Sequence, residues 1–221
     1  FNPNGRFRTL KGLYAITDDK GEPILHTTRG RTTFAVVYWE RKYKMTCFAK
    51  HDTQNAGVLS DIAAYTRSIS SQYLTESVWL PAEMVVFGPS GAVSELDVFI
   101  ERVPEGKTCA EFVNNAVGND DLAAINTVLK NMSSLAGWLT ANNFRHNSVT
   151  SLNIYINPSL TPVMTGYLKA GRGTAISDIE SLGAICAAVY AGVCESGIFC
   201  MLDELFTTQA GLRGAVVYLG G

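Results

Sequence analysis

The sequence predicts an α+β fold, with antiparallel strands and one helix in residues 1–103 and a mainly helical remainder in residues 104–221. Three observations carry that reading. Residues 6–103 contain runs of β-branched and aromatic side chains broken by turn formers such as Asp18-Asp19-Lys20-Gly21 and Gly88-Pro89-Ser90-Gly91. Residues 120–142 repeat apolar side chains at the 3.6-residue period of a helix. Residues 179–202 are nearly all apolar, but Glu180, Glu195 and Asp203 interrupt the run. A membrane span needs about 20 uninterrupted apolar residues, so a buried helix is the better fit.

With 221 residues, 47% hydrophobic and 17% charged, the chain can bury a real core. A net charge of −2 and a pI of 5.9 offer no basic field to gather nucleic acid or an anionic membrane surface. No nucleic-acid binding and no direct membrane insertion are therefore expected. The five cysteines, Cys47, Cys109, Cys186, Cys194 and Cys200, lie in apolar contexts without a Cys-x-x-Cys pair, which predicts buried free thiols in a reducing compartment. Phe1 stands where an initiator Met would, and no leader pattern is visible, so an excerpt of a longer protein is expected.

Taken in order, residues 6–29 read as a hairpin, with apolar runs at 10–16 and 23–25 flanking the turn at 18–21. Gly30 opens Gly30-Arg31-Thr32-Thr33-Phe34-Ala35-Val36-Val37-Tyr38, which by itself reads as a hairpin with glycine at its turn. Residues 36–39 and 43–50 predict a second hairpin about Glu40-Arg41-Lys42. Over residues 56–74, Val58, Leu59, Ile62, Ala63, Tyr65, Ile69 and Tyr73 follow an approximately helical spacing, with Asp52, Thr53 or Asn55 as the cap. Residues 80–87 and 95–103 are strands. Helices follow over 108–117 and 120–142, the second capped by Asn119 or Asp120. Its stripe of Leu122, Ile125, Val128, Leu129, Met132, Leu135, Ala136 and Leu139 is core.

Arg145-His146-Asn147-Ser148-Val149-Thr150-Ser151-Leu152-Asn153, followed by Ile154-Tyr155-Ile156, resembles the catalytic loop of the protein-kinase-like superfamily: His-Arg-Asp, four variable residues, Asn and a short strand. Other stretches resemble that family in the same order. Gly30 and Val37 match its glycine-rich loop, with Thr32 and Ala35 in place of the second and third glycines. Lys50 ends a strand as the phosphate-pairing Lys does, and Asp61 is the nearest substitute for its helix Glu. Ile100 matches the gatekeeper, and Glu101 to Val103 the hinge. Gly166 stands at the metal-binding Asp of Asp-Phe-Gly, with Tyr167 at the Phe. Residues 169–177 form a very short activation segment without Ala-Pro-Glu. Ser177-Asp178-Ile179-Glu180-Ser181-Leu182-Gly183 resembles the opening of the family's buried helix, whose Asp accepts hydrogen bonds from the catalytic-loop backbone.

The resemblance implies a two-lobed kinase-like domain: residues 1–103 a small antiparallel N-lobe with one helix and an N-terminal hairpin, residues 104–221 a shortened helical C-lobe. It also implies lost chemistry. Ser148 replaces the proton-accepting carboxylate, and Gly166 brings no oxygen to magnesium. The expected function is a degenerate, catalytically inactive pseudokinase, a signalling or regulatory module with a protein partner in the cytoplasm. His146 and Asp178 serve as structural residues and no residue as a metal ligand. No cofactor is expected; remnants at Gly30, Val37, Lys50, Glu101, Val103 and Asn153 would admit ATP without magnesium. The alternative is a divergent ATP-binding transferase using Lys50 and Asn153 with a rearranged metal site. A third reading is a binding module of unrelated α+β fold.

Other sites are weaker. His26, His51 and His146 are far apart and lack ligand-spaced neighbours for zinc. His146 and Ser148, two residues apart, have no orienting acid for a nucleophile–base pair. Asn131-Met132-Ser133 is a glycosylation sequon on a predicted buried helix.

Overall fold

Runs rich in β-branched and aromatic side chains build one antiparallel sheet from the described part of the first hundred residues. The computed structural model describes residues 5–28, 30–49, 56–88 and 91–195. The chain divides into two units, residues 1–71 with 75–103 and residues 72–74 with 104–221. The first holds seven strands: β1 (Gly5–Phe7), β2 (Leu13–Ala15), β3 (Leu25–Thr28), β4 (Arg31–Tyr38), β5 (Arg41–Phe48), β6 (Ser77–Phe87) and β7 (Val93–Arg102). Among the described residues, a single helix, α1 (Ala56–Ser68), lies between β5 and β6. The strand order is β1-β6-β7-β5-β4-β2, with β3 also paired to β4.

That order forces the sheet to curl. Six strands at about 4.8 Å spacing would set β1 and β2 about 24 Å apart if flat. Residues 8–12 alone join them, and the six Cα steps from Phe7 to Leu13 reach at most about 22 Å. One face encloses Phe34, Val36, Met45, Met84, Val98 and Ile100, with Leu10 of the linking segment and Leu13 of β2 packed against them. Each such buried side chain contributes about 1.5–3 kcal/mol. On α1, Leu59, Ile62, Ala63 and Thr66 are buried, and Thr66 Oγ1 accepts the backbone N–H of Ser77 at 3.1 Å.

Glu83 fixes the linking segment. It is 3% exposed, and its carboxylate accepts Thr9 N (2.7 Å), Leu10 N (2.8 Å) and the Thr9 hydroxyl (2.8 Å). A buried carboxylate is tolerated only with such partners. It reaches them because β6 bulges between Leu80 and Met84, where Pro81 has no N–H to give a ladder and Ala82 takes φ +51°. Ala82 N is satisfied by Asp97 Oδ1 at 2.8 Å.

The second unit holds α2 (Cys109–Gly118), α3 (Leu122–Ala141), α4 (Ile176–Glu195) and short ladders. β8 (Lys107–Thr108), β10 (Ile154–Ile156) and β11 (Pro162–Met164) form a three-stranded sheet, while β9 (Phe144–Arg145) pairs with β12 (Gly171–Arg172). Thr108 and Glu111 form a capping box on α2; the Thr108 hydroxyl and backbone hydrogen bonds, aided by Lys107, hold the Glu111 carboxyl below its ordinary pKa. α3 buries Ile125, Val128, Leu129, Met132, Leu135 and Leu139 of the expected stripe, while Leu122 and Ala136 are half-buried. α4 buries Asp178, Leu182, Cys186 and Val189, so among the described residues it buries one stripe rather than its whole surface. No helix of the described residues is long and apolar enough to cross a membrane.

The α+β class holds, and several local expectations need correction. β2 and β3 do not run along each other as a hairpin: both pair with β4, and only the Thr17–Pro23 bridge closes the turn at 18–22. The β4–β5 turn is Trp39-Glu40, not residues 40–42; both take positive φ, +47° and +62°, without the glycine or asparagine that usually marks such a turn. α1 ends at Ser68, and Tyr73 belongs to the second unit, its carbonyl accepting Met164 N at 2.8 Å. The cap of α3 is Asp121, whose Oδ1 accepts Ala124 N at 3.1 Å. Asp52, Thr53 and Asn55 lie outside the described residues.

Gly106 (φ +110°) packs against β10 so closely that a Cβ there would stand 2.1 Å from the Ile156 carbonyl oxygen. Gly106→Ala should therefore destabilise by upwards of about 2 kcal/mol in denaturant titration. Gly137→Ala, in open space within α3, should stabilise by about 0.5–1 kcal/mol. Cys47, Cys109 and Cys186 are free and buried, and burial pushes their pKa from 9.0 up to about 12, 11 and 12. In the native protein at pH 8 these three should resist thiol reagents, read by mass spectrometry, and react on unfolding. Because the folded state holds these protons more tightly, their share of stability is present below about pH 9 and declines as pH rises toward 12.

Candidate functional site

The loop at 145–153 is built by its two ends and one carboxylate. β9 starts it, with Phe144 opposite Arg172 and Arg145 opposite Gly171 in the β12 ladder, and β10 ends it. Phe144, fully buried, lies between the rings of Trp138 (6.1 Å) and Tyr167 (6.2 Å). Asp178, in the first turn of α4 and 1% exposed, accepts His146 N at 2.5 Å and Asn147 N at 2.8 Å. The helix N-terminus and two N–H donors together offset the burial of that charge. Asn147 takes φ +58°, a conformation asparagine tolerates, and its Nδ2 donates to the Lys169 carbonyl at 2.8 Å.

Asn153 staples the rest. Its Oδ1 accepts Thr150 N at 2.8 Å, its Nδ2 donates to the Ser148 carbonyl, and its own carbonyl accepts Thr165 N at 3.0 Å. The Ser151 carbonyl accepts Ala110 N of α2 at 3.1 Å. Gly166 sits beside this amide at φ +92°, with a hypothetical Cβ 3.5 Å from Asn153 Nδ2. Tyr167 is fully buried and its hydroxyl donates to the Met164 carbonyl at 2.5 Å.

His146 is fully buried, and its Nε2 lies 3.0 Å from the Thr165 carbonyl. A carbonyl only accepts, so Nε2 carries the proton and is not a base for Ser148. Within the unit, His146, Ser148, Asn153, Gly166 and Asp178 are thus brought together. The phenol of Tyr155, on the strand that leaves the loop, is held above its ordinary pKa by burial and then by the Glu111 charge.

The other sequence-derived positions are in the sheet unit. Gly30 (φ +82°) turns β3 into β4, and its carbonyl accepts Ala49 N at 2.9 Å. Thr32 and Ala35 are ladder residues of β4, opposite Cys47 and Lys44, so this stretch is a hairpin arm rather than a loop. Val37 lies between Tyr14 and Lys42, about 23 Å of extended strand from Gly30. Glu101 is inside β7, paired with Lys44 on one side and Ser77 on the other, and Val103 N donates to the Lys42 carbonyl at 2.9 Å. Asp61 is exposed on α1. Lys50 and His51 lie outside the described residues. Among the described residues no group of three or more His, Cys, Asp or Glu gathers at metal-binding distance. Asn131 is tied down, its Nδ2 donating to the Leu160 carbonyl at 2.9 Å.

Sequence reading missed the roles of Asn147 and of the Thr165 backbone. An asparagine beside the loop's histidine was a usable signal for a left-handed residue; a carbonyl acceptor leaves none. Asp178→Ala should strand one buried and one part-buried N–H group and cost about 3 kcal/mol. Amide exchange at His146 and Asn147 should accelerate selectively, with Asp178→Asn intermediate because one oxygen remains.

No protein-family model matches the sequence, and no curated protein is significantly similar to it.

Proposed function

We propose that this chain is a catalytically inactive pseudokinase domain of the protein-kinase-like superfamily, acting as a protein-interaction or regulatory module without magnesium-dependent phosphoryl transfer. The observation that carries the reading is the pairing of Asp178 with the backbone of His146 and Asn147 in a loop whose acid positions hold Ser148 and Gly166. Asp178 makes the contact that the resembling motif assigns to it, which supports a retained frame around lost chemistry. The order of elements also supports it: a glycine-turned hairpin, a helix between strands, two further strands, two helices, the loop, and a helix opening on Asp178.

Ser148 offers a hydroxyl of alcohol-like pKa where a proton acceptor is needed. The Asn153 amide is spent within its own loop, and a metal would compete with Thr150 N for its oxygen. Loop rigidity without a base suits a surface that partners recognise. A cytoplasmic location belongs to the same proposal and rests on the three buried free thiols.

Thermal unfolding with ATP or ADP, each with and without magnesium, tests this. A ligand at 100 times its Kd stabilises by about 2.7 kcal/mol, a midpoint shift of about 5–10 °C at this size. Magnesium should add nothing to any shift, and labelled ATP should transfer no phosphate to the protein or to generic acceptors. Phosphoryl transfer that Lys50→Ala abolishes would overturn the proposal in favour of a divergent transferase.

A further inference from the structure

A cavity of about 330 Å³ lies in the second unit, away from the loop at 145–153. One wall is a single face of α2: Phe112, Asn115, Ala116 and Asn119, at positions i, i+3, i+4 and i+7. The other is the β10–β11 turn, with Ile156, Pro158 and Leu160. This wall is rigid. Asn157 Oδ1 accepts Ser159 N and Thr161 N at 2.9 Å, Leu160 N donates to the Asn157 carbonyl at 2.9 Å, and Asn131 holds the Leu160 carbonyl. Gly106 lines the cavity too, at the close approach that admits no side chain.

Asn115 and Asn119 are exposed on that face. Four residues of helix rise about 6 Å, near the roughly 6.6 Å between like backbone groups of an extended chain. Each side-chain amide offers one donor group and one acceptor, the complement of a peptide unit. Phe112, Ile156, Pro158 and Leu160 supply apolar contacts between them. Lys107 precedes α2 and Asp121 follows it, so the two ends of the groove carry opposite charges along about 15 Å, the length of about five extended residues. One lysine is too little positive charge for a polyphosphate.

We propose that this groove binds a short extended peptide segment. The amides of Asn115 and Asn119 grip its backbone, two alternate apolar side chains fill the cavity, an acidic residue meets Lys107 and a basic residue meets Asp121. Occupancy of this groove does not depend on whether the loop at 145–153 is a degenerate catalytic loop. A preformed site with fixed walls limits the ordering cost on the protein's side.

The test uses acetylated, amidated heptapeptide pools with Leu, Ile, Val or Phe at positions 3 and 5, Thr elsewhere, and three end sets: one Glu with one Arg in either order, two Glu, or two Arg. Amide chemical shifts of the full chain are followed to millimolar peptide. Mixed-end pools should bind best and perturb α2 and residues 156–160. Asn115→Ala with Asn119→Ala should weaken binding at least about tenfold while leaving the fold's circular dichroism unchanged. N-methylation of the peptide's central amides should do the same. Lys107→Glu should shift preference to two-Arg pools and Asp121→Lys to two-Glu pools. No perturbation by any pool, binding indifferent to the paired Asn substitutions, or a charge preference unmoved by the reversals would overturn the proposal. Each of these failures leaves the nucleotide measurements on the loop unaffected, so the two ideas stand or fall separately.

Discussion

The helical unit is organised by one buried carboxylate. A charge 1% exposed is costly unless its oxygens are filled, and Asp178 fills them with two consecutive backbone N–H groups. Two donors from adjacent residues fix the orientation of two successive peptide planes, not only a distance. With those planes set, His146 turns inward to the Thr165 carbonyl, Asn147 can hold its left-handed conformation, and the chain reaches Asn153 in position to fasten both Ser148 and Thr165. None of these contacts uses the side chain at 148, whereas position 166, at φ +92°, favours glycine.

Legibility followed the range of the interaction. α3 was readable because its burial repeats with the helix period over many residues, and the β4–β5 pair because strand-forming runs flank a charged turn. The segment at 6–29 was not, because β2 and β3 take successive parts of the same edge of β4, a strand later in the chain. Trp39 and Glu40 hid their turn by lacking its usual residues. At the candidate site, His146, Asn153 and Asp178 were singled out by the resemblance of their stretches to a family's motifs. The acceptors that give them meaning, the carbonyls of Thr165 and Ser148, carry no sequence mark. The groove on α2 left no signal either, since its walls at 106–121 and 156–160 meet only in the fold.

β10 ties these two regions together. Its three residues separate Asn153, which closes the loop, from Asn157, which closes the turn. Both asparagines act through side-chain bonds to nearby backbone, the local motif that competes best with regular structure. A slip of β10 by one residue would reverse its faces and displace Ile154 and Ile156 from the core. The Gly106 contact with Ile156 opposes such a slip.

The Glu83 clamp has a temporal side. It joins residues 73 and 74 positions apart, so during synthesis the segment at 8–12 emerges long before the carboxylate that will hold it. Leu10 and Leu13 then wait, unsheltered, while β3, β4, β5 and α1 are made. Contacts of such long sequence separation form late and slowly. The segment at 8–12 is therefore among the last parts of the sheet to reach its place, and the sheet closes only after β6 has been completed with its bulge.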